Sequence, residues 1–443
     1  MKLKPYPKYK DSGVQWIGEI PEEWGVKKLK IVADVNISNI DKKSSDFEPY
    51  VKLCNYTDVY YNDFITSDII FMVATASHQQ ISKLRLKEGD VLITKDSEEA
   101  DDIAIPALVK ETFKDVVCGY HLAHIRPNKL ELLGSYLFRL FKSKNVSDYF
   151  TLNANGVTRF GISTYPIKNV QILLPSLPEQ EKMITFLDSK TSQFDQTIEK
   201  DKQLIELLKE KRTALINHVV TKGLDKNAKM KDSGIDWIGE IPEGWSTRRI
   251  DKLSKVSRGA SPRPIDDPIY FDEKGEYSWV RIADVSSSDR YLEESSEKLS
   301  VLGKSLSVAL ESGRLFVSIA GTVGKPIITK IKCCIHDGFV YFKNLKVNNE
   351  YLYYIFIGEQ AYLGLGKWGT QLNLNTETIG LIAIPLPDDK EQHQIVQYLD
   401  KETSKIDQII KKIEEKINLM EEYKKSLIHH VVTGKIDVRG VAL

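Results

Sequence analysis

The sequence lacks the features that mark a secreted, metal-bound or membrane-inserted protein. Its four cysteines, Cys54, Cys118, Cys333 and Cys334, have the spacing of neither a zinc site nor a disulfide framework. Cys333, Cys334 and His336 lie too close together on one predicted strand to converge on a metal ion. No window approaches the ~18 consecutive apolar residues of a membrane-spanning helix, and no apolar run follows the basic start. We therefore expect a soluble, cytoplasmic chain with reduced thiols, no bound metal and no contact with a membrane.

The chain also lacks an excess of charge of either sign. Its 62 basic residues balance 62 acidic residues. This balance argues against indiscriminate binding to polyanions, because such binding depends on many neutralised phosphates. It leaves open the binding of DNA by a locally basic face.

Motifs of nucleotide-binding and methyl-transferring enzymes are missing as well. The segment 321–326 resembles a phosphate-binding loop, but its glycine spacing is wrong and a proline follows its lysine. The glycine-rich segment 363–369 has no accompanying Asn-Pro-Pro-Tyr type motif for adenine. The residues therefore predict neither catalysis nor a cofactor in this chain.

What the sequence does contain is a duplication. The segment from Lys10 to Trp24 returns almost unchanged from Lys231 to Trp245, 221 residues later. A second block, 187–225, returns at 399–437, 212 residues later. The residues between these blocks share little, which predicts two modules with one frame and different inserts.

Each second block predicts a long helix with one apolar stripe. No proline or glycine occurs from Glu179 to Val220, and apolar residues recur there in steps of three, four and seven, the spacing of a coiled coil. The seam positions of the first helix are Leu187, Phe194, Ile198, Ile205, Leu208, Leu215 and Val219. Each recurs 212 residues later, as Leu399, Ile406, Ile410, Ile417, Met420, Leu427 and Val431.

Two such helices are expected to pack against each other. At 1.5 Å per residue each would be about 60 Å long, and a helix of that length with an apolar stripe needs a partner. We expect an antiparallel coiled coil that acts as a spacer between the two modules, with ordinary bundle helices as the alternative. The proline-marked segments 174–180 and 384–392 precede the helices, and glycine stops follow them at Gly223 and Gly434.

These blocks, in this order, resemble the specificity subunits of type I restriction-modification systems. The resemblance rests on the pattern SG-x-x-WIGEIP-x-x-W, a variable region, an I-x-L-P junction followed by Glu-Gln, a long helix with Leu-Asp near its start, and then the whole set again. It covers essentially the entire chain. Segments inside the variable regions support it, namely 50–59, 86–106, 156–162, 256–264, 277–285, 310–325 and 369–375.

The resemblance implies an α+β fold with a pseudo-twofold internal repeat and a division of labour. Two α/β target-recognition domains (1–173 and 225–383), which read DNA through residues 25–173 and 246–383, would alternate with two spacer helices (174–224 and 384–443). The chain would be a non-catalytic subunit that reads a bipartite site on double-stranded DNA. Its partners would be two methyltransferase subunits and the restriction and translocase subunits, and S-adenosylmethionine, ATP and magnesium would be bound by those partners.

Residues that read bases can be proposed from their chemistry and from their positions on loops. Arg and Lys suit guanine, Asn and Gln suit adenine, and small hydroxyls suit the remaining edges. In the first module these candidates are Asn55, Tyr56, Lys95, Ser97, Asn155, Thr158 and Arg159. In the second they are Arg258, Ser261, Arg263, Gln371 and Asn373. Solvated side chains and a plain glycine turn at Gly156 are the alternative interpretations.

The repeated tryptophans are interpreted as structural. Trp16 and Trp24, with their copies Trp237 and Trp245, recur together with flanking isoleucines, which favours an apolar clasp between module and helix over stacking on bases.

Two other functions remain open from the residues alone. A stand-alone modification or restriction enzyme would methylate or cut DNA without partners. A coiled-coil scaffold that binds no DNA would leave no footprint even with its partners present.

Overall fold

A computed structural model describes residues 4–42, 44–363, 367–368, 371–372 and 374–441. The chain forms two compact units. The first unit comprises Met1–Asp201 with Glu415–Leu443, and the second comprises Lys202–Glu414. Each long helix therefore contributes one part to each unit. The predicted boundaries at 173, 224 and 383 remain a prediction.

The strands of the first unit are short. The early ones are β1 (Tyr9–Asp11), β2 (Glu19–Pro21), β3 (Gly25–Lys28), β4 (Ala33–Ile37), β5 (Tyr50–Cys54), β6 (Phe64–Ile65), β7 (Met72–Thr75) and β8 (Val91–Thr94). The later ones are β9 (Asp96–Ser97), β10 (Pro106–Val109), β11 (Val116–Cys118), β12 (Leu122–Pro127), β13 (Asn155–Gly156), β14 (Phe160–Gly161) and β15 (Gln171–Leu174).

The second unit has strands of similar length. The early ones are β16 (Met230–Asp232), β17 (Glu240–Pro242), β18 (Ser246–Arg249), β19 (Lys255–Arg258), β20 (Tyr277–Val280), β21 (Tyr291–Leu292), β22 (Glu297–Leu299) and β23 (Val308–Leu310). The later ones are β24 (Leu315–Ser318), β25 (Pro326–Thr329), β26 (Cys333–Ile335), β27 (Phe339–Lys343), β28 (Lys367–Trp368), β29 (Gln371–Leu372) and β30 (Ala383–Leu386).

Helices connect these strands in both units. The first unit has α1 (Leu29–Val32), α2 (Tyr56–Tyr60), α3 (His78–Leu84), α4 (Gly134–Phe141), α5 (Lys144–Asn153) and α6 (Thr164–Asn169). The second has α8 (Ile250–Leu253), α9 (Ile282–Ser287), α10 (Val301–Ser305), α11 (Asn349–Ile357) and α12 (Thr376–Leu381). The two long helices are α7 (Leu177–Lys222) and α13 (Asp389–Val432).

The large sheets of the two units share one strand order despite their different sequences. The five-stranded sheet has the order β4-β12-β8-β10-β6 in the first unit and β19-β27-β24-β25-β21 in the second. A smaller sheet in each unit contains a parallel pair, β5 with β11 and β20 with β26. The predicted α+β class with an internal repeat is confirmed.

The long helices run antiparallel within each unit. In the first unit Asp201 pairs with Lys416 at 2.7 Å, and Asp195, earlier on α7, pairs with Lys424, later on α13. In the second unit Arg212 pairs with Asp407 at 2.9 Å. All fourteen seam positions predicted on the two helices are buried or half-buried, so the apolar stripes face into the packed interior of the units.

The repeated tryptophans fasten each module to the start of a long helix. The Nε1 of Trp24 donates a hydrogen bond to Glu179 at 3.2 Å, and the Nε1 of Trp245 donates to Glu391 at 2.8 Å. Both indole rings are almost fully buried in the apolar cores. The interpretation as a structural clasp between module and helix is confirmed for Trp24 and Trp245. Trp16 instead packs on Tyr149, and Trp237 donates to the carbonyl of Ala383.

Glycines close both long helices as predicted. Gly223 and Gly434 adopt φ values of 74° and 73°, the left-handed conformation that ends helices without steric cost only at glycine. A Cβ on Gly223 would meet the ring of Trp245, and one on Gly434 would meet Pro21. The stop therefore also makes room for the repeated Trp-containing segment.

The four cysteines are free and buried inside the units. Burial raises the pKa of the Cys333 thiol to about 11 and that of Cys334 to about 12. Across the described part of the chain, no helix combines the length and the apolar character needed to cross a membrane.

Candidate nucleic-acid interface

The candidate residues gather at corresponding places in the two units. In each unit most of them lie where the parallel strand pair ends, beside the turn that leads from the second strand of the pair into the large sheet. This turn is Gly119–His121 in the first unit and His336–Gly338 in the second. In open α/β sheets the carboxyl ends of parallel strands are the usual place for a ligand, because loops and helix starts converge there.

In the first unit this end of the sheet has two adjoining cavities. One, of about 310 Å³, is lined by Ile40, Asp41, Lys42, Leu53, Asn55, Tyr56, Thr57, Tyr120 and His121. The other, of about 570 Å³, is lined by Tyr56, Thr57, Tyr60, Tyr61, Asp96, Ser97, Glu98, Asp102, Thr158 and Arg159. Five of the predicted residues, Asn55, Tyr56, Ser97, Thr158 and Arg159, are therefore brought together around Tyr56.

A group of tyrosines on α2 and at its C-terminal end forms one wall of the larger cavity. The rings of Tyr56 and Tyr60 stack with centroids 5.5 Å apart, and Tyr61 meets Tyr60 edge-on at 4.9 Å. The hydroxyl of Tyr60 donates to Asp102 at 2.7 Å. This hydrogen bond raises the pKa of Tyr60 to about 12, so the hydroxyl remains a donor at neutral pH. Half-buried stacked rings at the wall of a cavity can pack against a nucleobase or a sugar.

The opposite wall is a glycine hairpin attached to β9. β13 pairs with β14, and β14 pairs with β9, so that Phe160 lies beside Ser97 and Gly161 beside Asp96. Gly156 is essential to this hairpin, because a Cβ there would lie 2.0 Å from the carbonyl oxygen of Arg159. The hairpin presents Asn155, Thr158 and Arg159 in exposed positions, and Arg159 makes no hydrogen bond or ion pair to another described side chain.

Ser97 and Lys95 have local partners instead. Ser97 is only 7% exposed, and its hydroxyl donates to Asp102 at 3.2 Å. The ammonium of Lys95 lies 5.9 Å from the centre of the Tyr120 ring. Nearby, His121 pairs with Asp96 and so ties the turn to β9. Lys95 and Ser97 thus support the cavity walls, while Arg159 and Thr158 are presented toward solvent.

In the second unit three predicted residues converge on Asp337, which sequence reasoning missed. The hydroxyl of Ser261 donates to Asp337 at 2.8 Å, and the guanidinium of Arg263 donates to its other oxygen at 3.0 Å. Arg258 donates to the main-chain carbonyl of Asp337. The hydrogen bond from Ser261 lowers the pKa of Asp337, so the carboxylate stays charged and holds the loop 258–264 in place.

The loop reaches Asp337 because Gly259 allows the two backbones to touch. A Cβ on Gly259 would lie 2.1 Å from the carbonyl oxygen of His336. The amides of Gly259 and Ala260 donate to Phe339 and Ile335 at 2.9 and 3.1 Å. Arg281, at the start of α9, adds a third guanidinium at this end of the sheet and pairs with Glu297 at 2.6 Å.

The structure describes the surroundings of the other two candidates of the second unit less fully. Gln371 lies in β29, which pairs with β28, and Asn373 lies outside the described residues.

Sequence reasoning also missed Asp102, Tyr60, His121 and Arg281. Tyr60 and Asp102 lie in segments rich in acidic and aromatic residues, a composition that does not suggest a DNA-binding face. The sequence did carry a signal for the place of Arg281, which it shares with Asn55. Each of the two residues follows a buried strand, and an aspartate stands three residues after each. In the structure Asp58 and Asp284 accept the main-chain amides of Asn55 and Arg281 at 2.7 Å, which is the capping interaction that this spacing predicts.

Comparison with known proteins assigns the chain to one protein family. Residues 21–210 and 242–419 match the family described as Type I restriction modification DNA specificity domain. The putative type I restriction enzyme MjaX specificity subunit of Methanocaldococcus jannaschii is 27% identical over 434 residues, covering 96% of each chain.

Solved structures carry the same fold. A chain from a structure on complex assembly and conformational transition of the type I R-M system superposes with a TM-score of 0.72 at 16% identity, covering 94% of this chain and 99% of that one. The HsdS subunit from Thermoanaerobacter tengcongensis superposes with a TM-score of 0.56 at 17% identity, covering 94% and 98%.

Proposed function

We propose, from the premise that the chain belongs to the type I restriction modification DNA specificity family, that it reads a split DNA site through its two units. One observation carries this proposal. The same end of the same sheet bears a different set of side chains in each unit, with tyrosines and carboxylates in the first and arginines around one carboxylate in the second. A shared frame with unlike reading surfaces fits two unequal half-sites.

The second unit is suited to guanine. An arginine in the major groove forms a bidentate contact with the O6 and N7 atoms of guanine, and this contact discriminates by about 1–3 kcal/mol. Arg263 is held at one nitrogen by Asp337, and its side chain remains 69% exposed. Pairing of this kind reduces the entropy lost on contact with a base, since the guanidinium is already oriented.

The first unit is suited to bases that present amino groups. Asp96 and Asp102 line the cavity, and carboxylates accept hydrogen bonds from the N4 amino group of cytosine. Thr158 and Arg159 on the glycine hairpin add a hydroxyl and an exposed guanidinium. The stacked Tyr56 and Tyr60 offer flat surfaces beside them.

We assign no reaction to the chain itself. Methylation of adenine at N6 and ATP-dependent cleavage would belong to partner subunits, which would bind S-adenosylmethionine, ATP and magnesium. This assignment rests on the family, and a cytoplasmic location follows from the same inference.

Exposed leucines at matching positions support the docking of two methyltransferase subunits. Leu207 on α7 is 60% exposed, and its copy on α13, Leu419, is 65% exposed. Large apolar side chains exposed at the same position of a repeat suit two identical partners. The restriction and translocase subunits would join the resulting complex.

Mapping of methylated sites in cells with and without the gene tests the reading function. A split, adenine-methylated motif that disappears with the gene is the expected result. The absence of any such motif would favour a scaffold that binds no DNA, while methylation or cleavage by the purified chain alone would favour a stand-alone enzyme.

Native mass spectrometry tests the docking positions. Leu207→Asp and Leu419→Asp should each reduce the complex from two methyltransferase subunits to one. Leu130→Asp is the control, because Leu130 is 82% exposed but does not lie on a long helix. Two bound subunits in both helix variants would contradict the proposed positions.

A further inference from the structure

A groove with a strong positive charge runs along the outer edge of the large sheet in the first unit. It follows β4, the edge strand, and has a volume of about 660 Å³. Its lining residues are Lys30, Ile31, Ala33, Asp34, Val35, Asn36, Ser82, Lys83, Arg126 and Lys168. Four cations and one carboxylate therefore face the same space.

Three of these cations are available to a ligand. Arg126 is already bound to the buried carboxylate of Asp90 at 2.7 Å. Lys30 and Lys83 are exposed and Lys168 is half-buried, and none of the three forms a hydrogen bond or an ion pair within the described chain. Like charges gathered without partners repel each other, which an anionic ligand would relieve.

The corresponding groove of the second unit is neutral. It is lined by two cations, Arg249 and Lys255, and by two carboxylates, Asp251 and Glu377. The repeat relates Lys30 to Asp251 and Asp34 to Lys255, so the charge at two equivalent positions is reversed. Arg249 is moreover paired with Asp251 at 2.5 Å. The positive groove is thus a property of the first unit and not of the shared frame.

The groove is close, along the chain, to the cavities where the first unit is proposed to read bases. The groove is lined as far as Asn36, and the smaller cavity begins at Ile40 on the same stretch of chain. Four residues span at most about 14 Å. A ligand as long as a DNA duplex could therefore occupy both places at once.

We propose that the groove binds the phosphate backbone of DNA beside the half-site read by the first unit. The inference rests on the proposed function. The carboxylates Asp96, Glu98 and Asp102 that line the reading cavity repel phosphates, and the chain has no overall positive charge to offset them. Lys30, Lys83 and Lys168 supply the compensating attraction close to the cavity. The second unit reads with arginines and does not require such a groove.

The salt dependence of DNA binding tests this inference in the complex with the methyltransferase subunits. The variant K30Q/K83Q/K168Q removes three charges and keeps the side-chain stems. Each phosphate contact contributes about 0.9 to the slope of log K against log salt, so the slope should fall by about 2.7. From 50 to 200 mM salt, the native complex should then lose about 40-fold more affinity than the variant. The discrimination between the methylated motif and a mismatched duplex should stay unchanged.

Two further variants serve as controls for this result. Lys255→Gln, in the neutral groove, should leave the slope unchanged, and Asp34→Lys, which installs the residue of the second unit, should increase it. An unchanged slope in the triple variant, or an equal fall in Lys255→Gln, would overturn the inference. Loss of a methyltransferase or restriction subunit with an unchanged slope would instead identify an acidic protein surface as the ligand. If the native complex showed no sequence preference at all, the proposed function would fail independently of the groove.

Discussion

The turn after β11 and the turn after β26 occupy the same position in the two units, yet they supply different groups to their contacts, a histidine in the first unit and a carboxylate in the second. In the first unit the turn supplies a histidine, His121, to the carboxylate of Asp96 on β9. In the second unit it supplies the carboxylate of Asp337 to Arg263 and Ser261 on the loop after β19. The backbone frame is kept, and a different loop is fastened to it in each unit. The two units thus carry different loops on large sheets with the same strand order.

The long helices show the converse, because the same aspartate is present in both copies but binds different partners. Asp188 and Asp400 are copies in the repeated Leu-Asp pair at the start of the long helices. Asp188 accepts from Arg139 on α4 at 2.6 Å. Asp400 accepts from Tyr354, at the corresponding place on α11, at 2.6 Å, and it also pairs with Arg290. The frame therefore presents the same carboxylate, and each variable region supplies its own donor.

The cores of the two units also differ, and this difference gives the largest expected effect of a mutation on stability. In the first unit Asp90, 1% exposed, binds His124 at 2.8 Å and Arg126 at 2.7 Å. The register of the strands places Arg314 of the second unit at the corresponding position, where it is exposed. Asp90→Ala should lower the stability of the first unit by about 3–5 kcal/mol, because it leaves the buried His124 and the half-buried Arg126 without the carboxylate that both contact.

Hydrogen exchange resolved by strand measures this difference. Protection of β8 and β12 should fall in Asp90→Ala, while β24 and β27 keep theirs. Arg314→Ala is the matched control and should change stability by less than about 0.5 kcal/mol. Equal losses in both units would break the comparison.

Acid should act on the first unit through the same carboxylate. Burial alone would raise the pKa of Asp90, but the hydrogen bonds from His124 and Arg126 outweigh it and lower the pKa. A lowered pKa means that the stabilisation is complete above the unfolded value of about 3.9 and is lost as the pH falls through the folded value. Asp90→Asn should therefore flatten the decline in stability of the first unit below about pH 4. An unchanged decline would show that other carboxylates cause it.

A smaller effect is expected at the helix carboxylates, and it should differ between the copies. Arg139 is 7% exposed, and Asp188 is its one ion-pair partner among the residues that the structure describes. Arg290 pairs with Asp400 and also with Glu350, the latter at 3.3 Å. Asp188→Ala should cost about 1.5–3 kcal/mol, and Asp400→Ala should cost less. Chemical unfolding of the two variants measures the difference. The reverse order would show that the second carboxylate does not compensate.

The smallest effect concerns base reading. Arg263→Ala should lose about 1–3 kcal/mol of discrimination at one base pair, in the half-site of the second unit only. Arg159→Ala should act on the other half-site. Arg248→Ala, an exposed arginine on β18, serves as the control and should relax neither. Methylation assays on duplexes with single base changes distinguish these outcomes. Loss of base discrimination in both half-sites in Arg263→Ala would contradict the assignment of one half-site to each unit.

The frame could be predicted from the sequence because its signals are periodic and repeated. The helix stops, the apolar seam and the tryptophan segments depend on local spacing, and the duplication displays each of them twice. The contacts that differ between the units depend on pairs far apart in the chain, such as Ser261 with Asp337 or Asp96 with His121, which spacing does not reveal. Loop chemistry did locate Arg258, Ser261 and Arg263 together, but the carboxylate that organises them lies on a strand turn that carried no signal of its own.

The separation into two independent readers is tested most directly by a domain exchange. Residues 25–173 would be replaced with the corresponding residues of another specificity subunit that recognises a different site, and the methylated motif would be mapped in cells that contain the methyltransferase subunits. A change in one half of the motif, with the other half retained, is the predicted result. A change in both halves, or in neither, would contradict the account.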